Sequence, residues 1–181
     1  MSILSLWKRC RALATGLRID MLLLLKSGKS RCVKEIADEL EIAEDIASKH
    51  LQLLASAGWV SKRLAGRYLY YTLDNDNVLL DEVLTYAEKK SIDRLIFMVT
   101  ALTHERRILI IRALAIEPMR LDCLCRKIRI PSMALRRHLD KLERRGFVRA
   151  ENGVWMLIIP DDTLIRRLID TALDDITPAQ V

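Results

Sequence analysis

Apolar residues recur at helical spacing through most of the chain. Ile3, Leu6 and Leu13 mark one segment over residues 3–14, and Leu17, Met21, Leu22, Leu24 and Leu25 mark a second over 17–27 that ends at Gly28. Val33, Ile36, Ala37 and Leu40 repeat the pattern over 32–40. After a tight corner, a further helix is expected over roughly 44–56, stopped by Gly58. Two short helices joined by a few residues, the second closed by glycine and followed by a strand, is the grammar of a helix-turn-helix. Trp59-Val60 and Tyr68 to Leu73 are rich in aromatic and β-branched residues, with Ala65-Gly66 between them. That predicts a β-hairpin, or wing.

Residues 76–102 read as helix again, through Leu79, Leu80, Val83, Leu84, Ala87, Leu95, Ile96, Val99 and Leu102. Without a Pro/Gly-rich linker, a long helix interrupted near Ser91 is expected to join the first half of the chain to the second. The programme then repeats. Arg106-Arg107-Ile108 to Leu114 matches Leu17-Arg18-Ile19 to Leu25, and Leu121 to Ile128 matches Val33 to Leu40. Pro131 to Arg149 matches Ala43 onward at one constant offset: His138 falls on His50, Leu139 on Leu51, Leu142 on Leu54, Gly146 on Gly58, Phe147 on Trp59 and Val148 on Val60. A second hairpin, Phe147-Val148 with Val154 to Ile159, turns on Asn152-Gly153, a strong two-residue turn signal. A last amphipathic helix is expected at about 162–174, with Asp161-Asp162 at its start and Asp174-Asp175 as an exposed final turn. The pattern predicts a mainly α chain with small β-hairpins. It forms two winged helix-turn-helix domains in tandem, residues 1–90 and 91–181, joined by a helix.

Composition narrows the function without fixing it. Half of the 181 residues are apolar and 30% are charged, which suits a folded, water-soluble chain; aromatics are 5%, so aliphatic packing makes most of the core. Cys10, Cys32, Cys123 and Cys125 show no disulfide-framework spacing and read as reduced thiols of a cytoplasmic protein. The run from Met21 to Leu25 is too short for a signal core or a membrane span, so no membrane partner is expected. No nucleophile–base set, Gly-rich phosphate loop or catalytic carboxylate pair stands out, so neither catalysis nor a cofactor is expected.

In the first copy, Ala12-Leu13-Ala14, Leu17-Arg18-Ile19, Ile36-Ala37-Asp38-Glu39-Leu40, Ser48-Lys49-His50-Leu51, Leu54, Ala57-Gly58-Trp59-Val60, Gly66-Arg67-Tyr68 and Tyr70-Tyr71-Thr72-Leu73 occur in order. This stretch resembles the ArsR-type (arsenical-resistance repressor) winged-helix regulators. The second copy resembles them more loosely, through Ala101-Leu102, Arg107-Ile108, His138-Leu139, Leu142 and Gly146-Phe147-Val148. The resemblance implies a sequence-specific regulator whose second helix of each pair enters the major groove of duplex DNA while the wing meets backbone or minor groove. Members of that family are usually one-domain homodimers. Two copies in one chain leave a homodimer and an intramolecular pseudo-dimer as the alternatives.

The net charge of +6 is less informative than where the charge lies. From Arg120 to Arg149 there are ten basic residues against three acids, a net of +7; from Arg31 to Arg63 there are five against six, a net of −1. Neutralising phosphates supplies much of the affinity for DNA. The second copy is therefore expected to be the stronger reader, through Ser132, Met133, Arg136, Arg137, Lys141 and Arg149. In the first copy Glu44 and Asp45 stand at the start of the reading helix, where the family usually has small neutral polar residues. The candidates there are Ser48, Lys49, Gln52, Lys62, Arg63 and Arg67.

Two rival readings remain. The acidic first copy would suit a structural adaptor that docks proteins. Cys123-Leu124-Cys125 suggests a thiol- or metal-responsive repressor, but side chains two apart on a helix point in opposed directions, and register puts Cys125 on the small core position of Ala37. No metal site is therefore expected. His50 and His138 read as structural or phosphate-facing, and His104 as a helix start.

Overall fold

The computed structural model describes residues 6–174. Ile3 and Asp175, placed above in helical segments, lie outside the described residues. The described chain divides into two compact units: Lys8–Ile96, and Phe97 onward together with Leu6 and Trp7.

The first unit takes α1 (Leu6–Ala12) from Lys8 onward, then α2 (Gly16–Leu25), β1 (Arg31–Cys32), α3 (Val33–Glu39), α4 (Glu44–Ser56), β2 (Val60–Ala65), β3 (Tyr68–Leu73), α5 (Leu80–Lys89) and the start of α6 (Ile92–Val99). After a 3-10 turn at Thr100–Leu102 come α7 (Glu105–Ile116), β4 (Met119–Arg120), α8 (Leu121–Ile128), α9 (Ser132–Glu143), β5 (Val148–Glu151), β6 (Val154–Leu157) and α10 (Thr163–Asp174). The expected tandem of winged helices is present. Each unit has one three-stranded antiparallel sheet, in order β1-β3-β2 and β4-β6-β5.

The two copies reuse the same local devices. The corner between the paired helices places a non-glycine residue in the left-handed region, Glu41 at φ 52 and Arg129 at φ 57. Both second helices end in one pattern. Gly58 and Gly146, at φ 68 and 75, end the helix; Trp59 N–H then donates to Leu54 O at 3.0 Å, and Phe147 N–H to Leu142 O at 3.0 Å. A glycine enters this conformation without the Cβ clash that other residues meet. The aromatic residue after that glycine is fully buried in each unit. Leu51 and Leu54 in α4, and Leu135, Leu139 and Leu142 in α9, turn inward, so the opposite faces are left to solvent.

The repeated Arg-Ile at the first turn of α2 and α7 has a structural task. Arg18 donates to the carbonyls of Ala12 and Arg11, and Arg107 to those of Ala101 and Thr100 and to Thr103 Oγ1 at 2.9 Å. Each guanidinium thus ties the start of its helix to carbonyls of the preceding turn.

Two sequence expectations change, the first hairpin turn and the place of Cys125. The first hairpin turns on Gly66-Arg67, not Ala65-Gly66, because Ala65 pairs with Tyr68 in the ladder. Within residues 76–102 the helix is interrupted at Ser91, where a break is expected. Ser91 separates α5 from α6, and its Oγ accepts the Arg94 N–H at 3.0 Å, so a new helix start takes over there. The two-residue strands β1 and β4 are too short to leave a periodic signal. Cys125 is half-buried and Cys123 exposed, so the inward residue of that helix is Leu124. Asp162 does cap α10, its Oδ1 accepting the Ile165 N–H at 3.2 Å.

Candidate nucleic-acid interface

In the second unit, Ser132, Met133, Arg136 and Arg137 stand exposed on α9, and Met133 is 66% exposed. Lys141 is half-buried one turn further on. Pro131 precedes the helix without a side-chain cap, and no acid lies in its first turn. The helix start is thus open to an anion, which the macrodipole favours. Arg149 is exposed on β5, where its Nε lies 3.2 Å from Glu151 and 3.4 Å from Met156 Sδ. The wing beyond it turns at Asn152 (φ 51) and Gly153 (φ 77), both in the left-handed region that a tight hairpin turn requires.

Ion pairing separates the copies as much as charge does. Of the ten basic residues from Arg120 to Arg149, only Arg126 (to Asp122, 3.5 Å) and Arg149 (to Glu151) form ion pairs among the described residues. Arg136 and Arg137 form none. In the first unit, Lys49 lies 3.0 Å from Asp45 and Gln52 donates to Ser48 Oγ at 3.2 Å, so three candidate readers have neighbours on their own helix. Ser48 is half-buried; Lys62, Arg63 and Arg67 are exposed along the first wing, with Arg67 5.1 Å from the centroid of Tyr68. Glu44 and Asp45 occupy the first turn of α4. They favour the helix electrostatically and repel phosphate.

His50 and His138 are half-buried residues of α4 and α9, and His104 precedes α7. His50 Nδ1 lies 3.4 Å from Arg18 Nη1. His104 caps α7 by accepting the Arg106 N–H at 3.1 Å, and its ring centroid is 4.8 Å from that of His138. Burial, then the neighbouring His104, Arg107 and Arg106, push His138 from its ordinary 6.5 down to about 4. The unfolded chain takes up the proton near 6.5 and the folded one only near 4. The contribution of His138 to stability is therefore full above about pH 6.5 and is lost as pH falls from there through about 4. Thermal unfolding measured between about pH 7 and pH 4 should show a falling midpoint, and His138→Gln should flatten that fall.

Two further basic residues, counted in the cationic run but not named as candidates, border this face. Arg145 donates to Phe97 O at 2.7 Å and lies 4.4 Å over the Phe97 ring, and Arg144 stands exposed beside it. Only the run of basic residues hinted at either. No group of three or more His, Cys, Asp or Glu side chains suited to a metal occurs among the described residues. No helix among them is long and apolar enough to cross a membrane.

The sequence profile of the bacterial regulatory protein arsR family matches twice, over residues 15–62 and 104–150, one match for each helix pair. Together the matches cover more than half of the chain. The chain belongs to the arsR family of bacterial regulatory proteins. It is 37% identical over 76 residues to the HTH-type transcriptional repressor SmtB of Mycobacterium tuberculosis, a span of 40% of this chain and 56% of that repressor. It is 32% identical over 68 residues to the cadmium resistance transcriptional regulatory protein CadC homolog of Staphylococcus aureus, covering 38% of this chain and 56% of that one. An HTH-type transcriptional regulator of Methanocaldococcus jannaschii is 35% identical over 78 residues and is covered to 88% of its length. The chain therefore spans little more than half the length of the first two. The solution structure of a homodimeric winged helix-turn-helix DNA-binding domain from Mycobacterium bovis, described as a possible ArsR-family transcriptional regulator, is 33% identical. It covers 46% of this chain and 78% of that one, with a TM-score of 0.42.

Proposed function

We propose that this chain is a cytoplasmic, non-catalytic transcriptional regulator that binds duplex DNA chiefly through its second winged helix. In this reading α9 enters the major groove, with Ser132, Met133, Arg136 and Arg137 toward the bases and the sugar–phosphate edge. Lys141 and Arg149 meet flanking phosphates. The observation that carries it is the row of α9 cations without carboxylate partners, set against the paired and acid-fronted α4 of the first unit. A guanidinium that forms no internal ion pair loses none when it binds a phosphate or the paired acceptors of a guanine edge.

Ser48, Lys49, Gln52, Lys62, Arg63 and Arg67 form the weaker surface. One observation favours a second role for that unit: Ile46 and Leu53, two turns apart on α4, are 41% and 42% exposed beside the acids, a face better suited to a protein than to a polyanion. Both readings are tested by titrating a labelled duplex at two salt concentrations. Four phosphate contacts give a log–log slope of about −3.6, so a rise from about 50 to about 200 mM salt should weaken binding on the order of 100-fold. A protein-docking adaptor would bind weakly at both.

A further inference from the structure

Beside the C-terminal half of α9 lies a shallow groove of about 400 Å³ lined by Arg137, Asp140, Lys141, Arg144 and Arg145. Four cations face one carboxylate, and none of the four forms an ion pair among the described residues. We infer that this groove is a phosphate-binding site, which takes either a phosphate of the DNA backbone or the phosphate group of a soluble ligand. It shares Arg137 and Lys141 with the face proposed to meet DNA, and Arg144 and Arg145 extend it. The inference rests on that reading only in naming a phosphate rather than another anion.

Three features point to a built site rather than a chance accumulation of charge. Arg145 is held in place by Phe97 O, by Lys141 O at 3.3 Å and by Thr100 Oγ1 at 3.4 Å, while its guanidinium stacks on Phe97, so little side-chain entropy is left to lose on binding. Lys141 is half-buried, and burial together with the positive charges of Arg107 and Arg145 lowers its pKa. A cation crowded by cations gains most from an incoming anion. Finally, the first copy has Lys49, Gln52, Leu53, Ser56 and Ala57 at the positions equivalent to Arg137, Asp140, Lys141, Arg144 and Arg145. The duplicated fold does not need this charge. Three of the four cations are peculiar to the second copy, and the fourth position holds a lysine already paired with Asp45.

The test uses the full chain and inorganic pyrophosphate, titrated calorimetrically at constant ionic strength. Saturable binding of one pyrophosphate per chain is expected. It should weaken tenfold or more in the double variant R137Q/R144Q, whose changed side chains are both exposed, and in Lys141→Met, with far-ultraviolet dichroism confirming the fold. Lys127→Gln, an exposed cation on α8, should stay within twofold of the parent. Absence of saturation overturns the site, as does a loss from Lys127→Gln equal to that from the double variant, since either result means diffuse charge. Competition separates the sources. If pyrophosphate displaces a duplex and Arg144→Gln weakens the duplex, the backbone supplies the phosphate; if the duplex is unaffected by both, a free phosphorylated ligand does. Pyrophosphate binding without any duplex binding would leave the site standing and sink the DNA reading.

Discussion

Replacing Arg136 and Arg137 together by alanine should weaken duplex binding by about 30-fold or more, whereas Lys49→Ala should change it by less than about threefold. The contrast arises from surroundings, since all three residues are exposed on a reading helix. Neither arginine forms an ion pair among the described residues, so their charge is available to a polyanion. Lys49 is already 3.0 Å from Asp45, with Glu44 beside it in the first turn. To reach a phosphate it must leave a carboxylate and bring two acids close to the DNA. A base-reading arginine is worth about 1–3 kcal/mol, and each phosphate left without its cation should also make the salt slope shallower by about one. Fluorescence anisotropy with one labelled duplex measures both. Equal losses in the two variants would show that the copies share the contact.

Trp59→Ala should lower the unfolding free energy by about 3–5 kcal/mol, the range for truncating a buried large aromatic. Trp59 is fully buried, and its Nε1 donates to Arg9 O at 3.1 Å, which fixes the end of α1 beside the end of α4. Alanine would leave a cavity and remove that carbonyl's partner. Phe147→Ala, at the matching position of the second unit, should cost a similar amount without the hydrogen-bond loss. Urea denaturation measures both. A change below about 1 kcal/mol for Trp59→Ala would mean that the region collapses around the missing ring.

The repeat made much of this architecture readable beforehand. The offset that sets His138 on His50 and Phe147 on Trp59 also aligns the two helix ends, the two buried aromatics and the two left-handed corners. Apolar periodicity located α3, α4, α8 and α9 because each buries one narrow face. What escaped was set by interactions distant in sequence or by elements too brief to have a period. A two-residue strand such as Met119–Arg120 exists only because β6 offers it a ladder, at Trp155 and Val154. Asn77 is buried because its side-chain amide donates to Gly58 O at 2.8 Å, nineteen residues away. The outward face of α9 could be read from Leu135, Leu139 and Leu142 alone. The pairing of Lys49 with Asp45, and the anchoring of Arg145 on Phe97, needed coordinates.

Which helix a duplex covers can be read residue by residue from backbone amide signals, with and without DNA, on the full chain. Addition of duplex at low salt should shift or protect amides over α9 and the β5–β6 wing, residues 132–143 and 148–157, and leave 44–56 close to their free values. Perturbation centred on α4, with α9 unchanged, would contradict the assignment of DNA to the second winged helix.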